Sequence, residues 1–312
     1  MDKIDLRLLT ELMKNSRIAI TTLAKRLKIS REVATYRLNK LKRDGVILDF
    51  VTEINTTKLG FLSGSLFINI KANKEKEFSE FIKKSDFASW SGEFSGVWRF
   101  GLDIYGKTNE EIHDNFQMIY HKFKDDIIDH RLTLYKNKFF FHEKYLNEKT
   151  SSQLLENSKK IKIDEKDKLI LRKLSTNSRL DSVELSSVVN LTTPAVIQRI
   201  RNLEKNGLIK KYSIFIDVSK LNLFQYSVFI TNKNIDNKNK LLGYLSAHSK
   251  VPFIAEYIGD PFLEFGVVVK NPYELRKVLQ EIEESFPDNR IIEVFLIQKE
   301  FISIGPPASV FN

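Results

Sequence analysis

Apolar residues recur at helical spacing near the start of the chain, at Ile4, Leu8, Leu9 and Leu12. They do so again far downstream, at Leu169, Ile170, Leu171 and Leu174. Sliding the sequence along itself by 162 positions explains the coincidence. Asp5 falls on Asp167, Leu9 on Leu171, Leu12 on Leu174, and the run Asn15-Ser16-Arg17 on Asn177-Ser178-Arg179. Without a gap the same shift carries Leu23 onto Leu185, Arg37 onto Arg199, Leu41 onto Leu203, Gly45 onto Gly207, Ile47 onto Ile209 and Lys58-Leu59 onto Lys220-Leu221. Chance rarely holds one register so long, so the chain reads as two copies of one unit. The polar stretch 150–162 between them reads as a linker.

The start of each unit predicts three short helices and a hairpin. Ser30 and Thr192 stand where a third helix needs an N-cap, and Pro194 sits just inside it, where a missing N–H costs nothing. Asp181 with Glu184 has the spacing of a capping box. Gly45 and Gly207 are suitable C-terminal caps, and the β-rich runs VILDFVTEI and LIKKYSIFI follow them. Such an arrangement is a winged helix-turn-helix, whose third helix can enter a major groove. Burying Ala34, Leu38 and Leu41 turns Arg31, Thr35, Tyr36, Asn39, Lys40 and Arg43 outward; burying Val196, Ile200 and Leu203 turns out Thr193, Ile197, Gln198, Arg201, Asn202 and Lys205. Arg, Asn and Gln match base edges, while Lys and hydroxyls mostly hold phosphates, so both faces are candidate double-stranded DNA contacts. A solvated helix face is the plainer alternative.

The rest of each unit alternates strands and helices in the order β-α-β-β-α-β, which predicts a ferredoxin-like split βαβ sandwich. The fold class is therefore α+β: two winged helix-turn-helix domains, at 1–60 and 163–222, alternate with two ferredoxin-like βαββαβ domains, at 61–149 and 223–312. Phe67, Phe100, Phe229 and Phe265 would form an exposed patch on the open face of such sheets unless another sheet covered them.

Charge follows the same alternation. The net charge of +10 is divided as +6 over 1–60, 0 over 61–150, +1 over 151–160, +5 over 161–222 and −2 over 223–312. Positive charge concentrates where DNA would need it. The chain has no cysteine, which excludes disulfide scaffolds, Cys-ligated zinc and thiol nucleophiles. Its N-terminus lacks the apolar run of a signal peptide and no stretch approaches a membrane span, so a cytoplasmic protein without membrane attachment is expected. No metal-ligand spacing, nucleophile elbow or phosphate loop appears, and His113, His121, His130, His142 and His248 read as isolated. A non-enzymatic protein with no cofactor and no metal is the expectation.

At these residues the chain resembles the Lrp/AsnC (feast/famine) family of transcriptional regulators. SREVATYRLNKLKRDGVI and TTPAVIQRIRNLEKNGLI are similar to that family's recognition-helix segment, NSRI and NSRL to its helix-one exit, and the α/β halves to its effector-binding and dimerising module. The resemblance covers nearly the whole chain, twice. Because family members normally carry one copy and dimerise through their sheets, it implies a built-in pseudo-dimer, able to associate further, whose unlike reading faces prefer an asymmetric operator. It also implies an amino-acid or related small-molecule effector, bound at a loop opened by a Gly-acidic pair. Gly259-Asp260 is similar to that pair, and Gly92-Glu93, with Trp98 as an apolar wall, resembles it across an apparent insertion of two residues. Allowing for that insertion, Arg99 aligns with Glu264, a charge opposition that would favour pairing within the chain. Two alternatives remain at this point: an architectural DNA-binding protein of low specificity, and an enzyme similar to the siroheme decarboxylases of haem biosynthesis. The hairpins SGEFSGVWRF and EYIGDPFLEF lack the histidine that the enzyme resemblance would require.

Overall fold

A computed structural model describes residues 1–146, 159–232, 237–303 and 305–312; most of the predicted linker, 150–158, lies outside them. The first repeat opens with helices α1 (Lys3–Lys14), α2 (Ile20–Leu27) and α3 (Arg31–Arg43) and strand β1 (Ile47–Ile54). It continues with β2 (Leu62–Ile70), α4 (Glu75–Lys83), β3 (Ala88–Ser95), β4 (Phe100–Gly106), α5 (Asn109–Phe123) and β5 (Ile127–Phe140). The second repeats the order with α6 (Glu165–Thr176), α7 (Ser182–Val189), α8 (Thr193–Lys205) and β6 (Ile209–Ile216). Then come β7 (Phe224–Asn232), α9 (Lys238–Ala247), β8 (Phe253–Tyr257), β9 (Leu263–Val269), α10 (Pro272–Ser285) and β10 (Asn289–Ser303).

Local chemistry sets the helix ends as the caps predict. The Ser30 and Thr192 hydroxyls accept from the Val33 and Ala195 amides, and Asp181 and Glu184 complete a capping box. Gly45 and Gly207 follow α3 and α8 at φ of +69° and +64°, a region costly for any residue with a Cβ.

The hairpin expected after each helix triplet is replaced by a single strand. A lone strand leaves its backbone groups unpaired on both edges, and here β1 and β6 pair antiparallel with each other, with Val51 opposite Ser213. Those two residues are related by the 162-residue repeat, so the ladder straddles a pseudo-two-fold axis. The exchange reaches both cores: Ile214 and Ile216 of β6 pack with α1–α3, while Ile54 of β1 packs with α6–α8.

The repeated Asn-Ser-Arg sits on the same axis. The Ser16 and Ser178 hydroxyls hydrogen-bond at 2.6 Å. Arg17 donates to the Ser178 and Leu180 carbonyls at 2.6 and 2.7 Å, and Arg179 returns the contact to the Ser16 and Ile18 carbonyls at 2.5 and 3.3 Å. Burial, and then the nearby Arg17 charge, push the Arg179 guanidinium below its ordinary pKa. Hydrogen bonds from a charged donor contribute more than neutral ones, so Arg179→Ala is expected to cost about 2 kcal/mol, read as a lower urea midpoint. Arg179→Lys should recover little, because one ammonium cannot reproduce the planar fork. A midpoint unchanged in Arg179→Ala would show that the two arginines do not fasten the helix triplets together.

The two ferredoxin-like sheets join edge to edge, in addition to facing each other. β3 pairs with β10 and β5 with β8, closing a barrel of strand order β10-β3-β4-β2-β5-β8-β9-β7. Closure removes the free edges of these two sheets and covers their open faces. Phe67, Phe94, Trp98, Phe229, Tyr257 and Phe295 fill the interior. Of the four phenylalanines expected on the open faces, Phe67 and Phe229 point inward, whereas Phe100 packs with α4 and α5 and Phe265 with α9 and α10. The segments that follow the last strands return to the helix triplets: Tyr145 packs into the α1–α3 core, Val310 and Phe311 into the α6–α8 core. Among the described residues no helix is long and apolar enough to cross a membrane.

Candidate nucleic-acid interface and inter-layer cavity

Helix α3 buries Ala34, Leu38 and Leu41 and exposes Arg31, Thr35, Tyr36, Asn39, Lys40 and Arg43. Lys40 and Arg43 share Asp44, at 2.9 and 3.5 Å; such exposed pairs are weak and exchangeable for phosphate. Helix α8 buries Val196, Ile200 and Leu203 and exposes Gln198, Arg201, Asn202 and Lys205. Thr193 is only half-exposed, with its hydroxyl 3.4 Å from that of Ser186. Gln198 donates to Asn202 at 3.0 Å, holding two amide side chains on one face. What the repeats share lies behind these faces: Arg37 binds Asp2 and Asp5, and Arg199 binds Asp164 and Asp167, each tying the third helix to the start of the first. Matching positions thus build the scaffold, and the positions that differ face outward.

The five candidate effector residues do not converge. Gly92 and Glu93 lie within β3, at the seam with β10, rather than opening a hairpin, and Glu93 pairs with Arg99 at 3.2 Å. Register shows their true counterparts. Gly101 lies opposite Phe67 and Gly92, and Glu264 lies opposite Phe229 and Ala255; Phe67 and Phe229 are equivalent, so Gly92-Glu93 corresponds to Ala255-Glu256. Gly259 and Asp260 instead form the exposed β8–β9 turn, where Asp260 accepts from the Thr231 hydroxyl at 2.5 Å. Trp98 is buried in the barrel and donates to Glu293 at 3.2 Å.

The same register corrects the predicted charge opposition. Arg99 pairs with Glu75 and Glu93 of its own repeat, and Glu264, whose counterpart is Gly101, is held by the Ser227 and Tyr257 hydroxyls. The opposition exists elsewhere. Arg131 of β5 grips Glu293 of β10 through two bonds of 2.7 and 2.8 Å inside the barrel, with its guanidinium 4.8 to 5.1 Å from the Phe67, Trp98 and Phe229 rings. These partners are 162 positions apart. The repeat shift, carried into the last strands, would have found them, and it also places Lys138 on Glu300.

A cavity of about 310 Å³ opens between the β1–β6 ladder and one end of the barrel. Glu53 enters its wall from β1, Asp103 and Glu264 from the barrel, and Glu300 from β10. Lys138 forms an ion pair with Asp103, which also accepts from the Tyr135 hydroxyl at 2.6 Å. The Lys138 ammonium lies 4.7 Å from the Tyr135 ring, 5.3 Å from Phe140 and 5.9 Å from Trp90. Glu300 accepts from the Trp90 indole at 2.5 Å. Burial raises the Glu300 carboxyl to about 7, against the pull of the indole N–H and the Lys138 charge. Burial raises Glu264 as well and lowers His142, leaving the imidazole neutral near pH 7. Sequence reasoning missed this cavity because its polar residues are scattered over several strands and make no local motif.

Two unlike recognition helices on a shared strand pair, carried by a closed barrel, define a tandem helix-turn-helix protein. A winged helix-turn-helix DNA-binding model matches residues 1–47 and 163–210. An uncharacterised HTH-type transcriptional regulator of Pyrococcus furiosus is 32% identical over 144 residues, covering 45% of this chain and 93% of the relative. The HTH-type transcriptional regulator LrpB of Bacillus subtilis is 28% identical over 123 residues, covering 39% and 82%. The chain belongs to the Lrp/AsnC family of transcriptional regulators and carries the family's unit twice. In fold it is similar to the siroheme decarboxylase NirDL, with a TM-score of 0.61 over 98% of this chain and 94% of that one, at 13% identity.

Proposed function

We propose that the chain is a sequence-specific, double-stranded-DNA-binding regulator that acts in the cytoplasm as its own pseudo-dimer and reads an operator of two unlike half-sites. The carrying observation is the outward set of each third helix: Arg31, Tyr36 and Asn39 on one, Gln198, Arg201 and Asn202 on the other, across one pseudo-two-fold axis. A symmetric dimer would present one set twice and favour a palindrome. Arg31, Thr35, Lys40, Arg43, Thr193 and Lys205 complete the proposed DNA contacts.

The test is a selection from random duplexes at about 150 mM salt, because the specificity ratio separates a regulator from a packaging protein. A motif of two unlike halves is expected. Perfect palindromes would overturn the asymmetric reading, and binding without enrichment would favour an architectural protein. Arg31→Ala should relax the readout of one half-site and Arg201→Ala that of the other, each by about 1 to 3 kcal/mol, measured by titrating duplexes mutated in one half at a time. Loss spread evenly over both halves would mean that neither arginine reads bases.

The shared fold with an enzyme of tetrapyrrole chemistry supplies a control. Neither hairpin, SGEFSGVWRF nor EYIGDPFLEF, carries a histidine, so the protein is read as non-enzymatic. Incubation with siroheme should leave the absorption spectrum unchanged.

A further inference from the structure

We propose that the cavity between the β1–β6 ladder and the barrel binds a small aliphatic ammonium compound, a primary amine or diamine; its regulatory consequence rests on the DNA-binding reading above. Three features of the cavity carry the inference. Four carboxylates enter its wall, and the three lysines that line it are already partnered, Lys138 with Asp103, Lys136 at 3.8 Å from Glu256, and Lys210 as well. Gln225, 6% exposed, lines it with an Oε1 that has no hydrogen-bond partner among the described residues, and so does the Glu53 Oε1. A buried acceptor without a donor is costly, and an ammonium supplies three donors. Finally, the protein already seats one ammonium here: the Lys138 Nζ lies among Asp103, Tyr135, Phe140 and Trp90. Carboxylates beside aromatic faces form the kind of surface that recognises such a group.

Exposed Thr57, Leu62 and Phe140 form part of its wall, giving access from solvent. Its position suggests what the ligand would do. Glu53 belongs to β1, whose ladder orients the two helix triplets, whereas Glu300 belongs to the barrel. A ligand that bridges them favours one arrangement of the two layers and so shifts DNA affinity.

Isothermal titration of the full chain at pH 8 with 1,4-diaminobutane and with butylamine tests the site without DNA; butanoate is the opposite-charge control. One amine per chain is expected, with no butanoate binding and at least tenfold weaker amine binding in both Glu53→Gln and Glu300→Gln. The two variants report from different layers, and a far-UV circular dichroism melt of each verifies folding. No amine binding by the wild-type chain at millimolar concentration would overturn the proposal, as would unchanged affinity in both folded variants. Repeating the duplex titration with saturating 1,4-diaminobutane separates the two readings. A change in duplex affinity that the variants lose supports the regulatory role. Amine binding that leaves duplex affinity unchanged keeps the site and overturns that role. Amine binding by a chain that takes no duplex overturns the DNA reading alone.

Discussion

Arg131→Glu is expected to lower stability by about 3 to 5 kcal/mol, the range for breaking a desolvated pair so that one charge is left without its partner. Both partners are largely shielded, with side-chain exposures of 21% and 17%, and the substitution sets a carboxylate against Glu293. It also removes the cation lying over the Phe67, Trp98 and Phe229 rings. The reciprocal Glu293→Arg should be comparably severe, because the Trp98 indole N–H then faces a guanidinium instead of an acceptor. The double swap R131E/E293R restores opposite charges across the axis and should regain more than half of the loss, though not all, because the ring stack and the indole bond are not mirrored. Urea unfolding of the four chains checks this as a double-mutant cycle. A neutral R131E, or a double swap no better than either single change, would show that the pair does not hold the barrel halves together.

The cycle bears on why the unit is duplicated within one chain. Copies of the first repeat alone would set Arg131 against Arg131 at this position, and copies of the second Glu293 against Glu293. Only unlike halves satisfy it, so the charge rejects like-with-like pairing while the tether supplies a high effective concentration of the right partner. The reading faces can then diverge without risk of being separated, which is what the proposed asymmetric operator would require.

How much of this the sequence reveals depends on the range of the interaction. Caps, helix periods and the β-α-β-β-α-β order are local, and the Ser30, Thr192 and Asp181 caps stand where their spacing places them. The repeat shift is long-range yet legible, because matched residues such as Arg17 and Arg179 meet at the axis that relates the copies. Strand partners were not legible. Nothing in VILDFVTEI distinguishes a hairpin arm from a strand that pairs across the molecule, and a hairpin alignment wrong by two residues matched Glu264 with Arg99 in place of Gly101, while the opposition that exists, Arg131–Glu293, lies in the last strands. Side chains alternate across a strand, so small register errors reassign what each residue faces. The outward residues of α3 and α8 were legible because a helix face needs no partner to be recognised. The cavity was not, because it exists only once the ladder and the barrel are assembled.

Glu300 makes the cavity's electrostatics measurable. Its carboxyl titrates near 7 in the folded protein against an ordinary value of 4.5, through burial, opposed by the Trp90 N–H and Lys138 and reinforced by the negative charge of Asp217. Between those values the folded chain keeps a proton that the unfolded chain has released. The contribution is therefore fully present below about pH 4.5 and is lost as the pH rises through about 7, a difference of roughly 3 kcal/mol. Other groups titrate over the same range: Glu264, also raised, adds the same sign, and His142, lowered, adds the opposite one. Comparison with Glu300→Gln removes them, since the amide stays neutral at every pH. Relative to the wild type, that variant should gain about 2.5 kcal/mol in urea unfolding between pH 5 and pH 8. A constant difference would mean that Glu300 is ionised throughout and that the cavity is far wetter than its walls imply. A bound ammonium should act in the opposite direction, favouring the carboxylate, lowering its pKa and reducing the wild type's loss above pH 7, so 1,4-diaminobutane should narrow the gap between the two chains at pH 8 and leave it unchanged at pH 4.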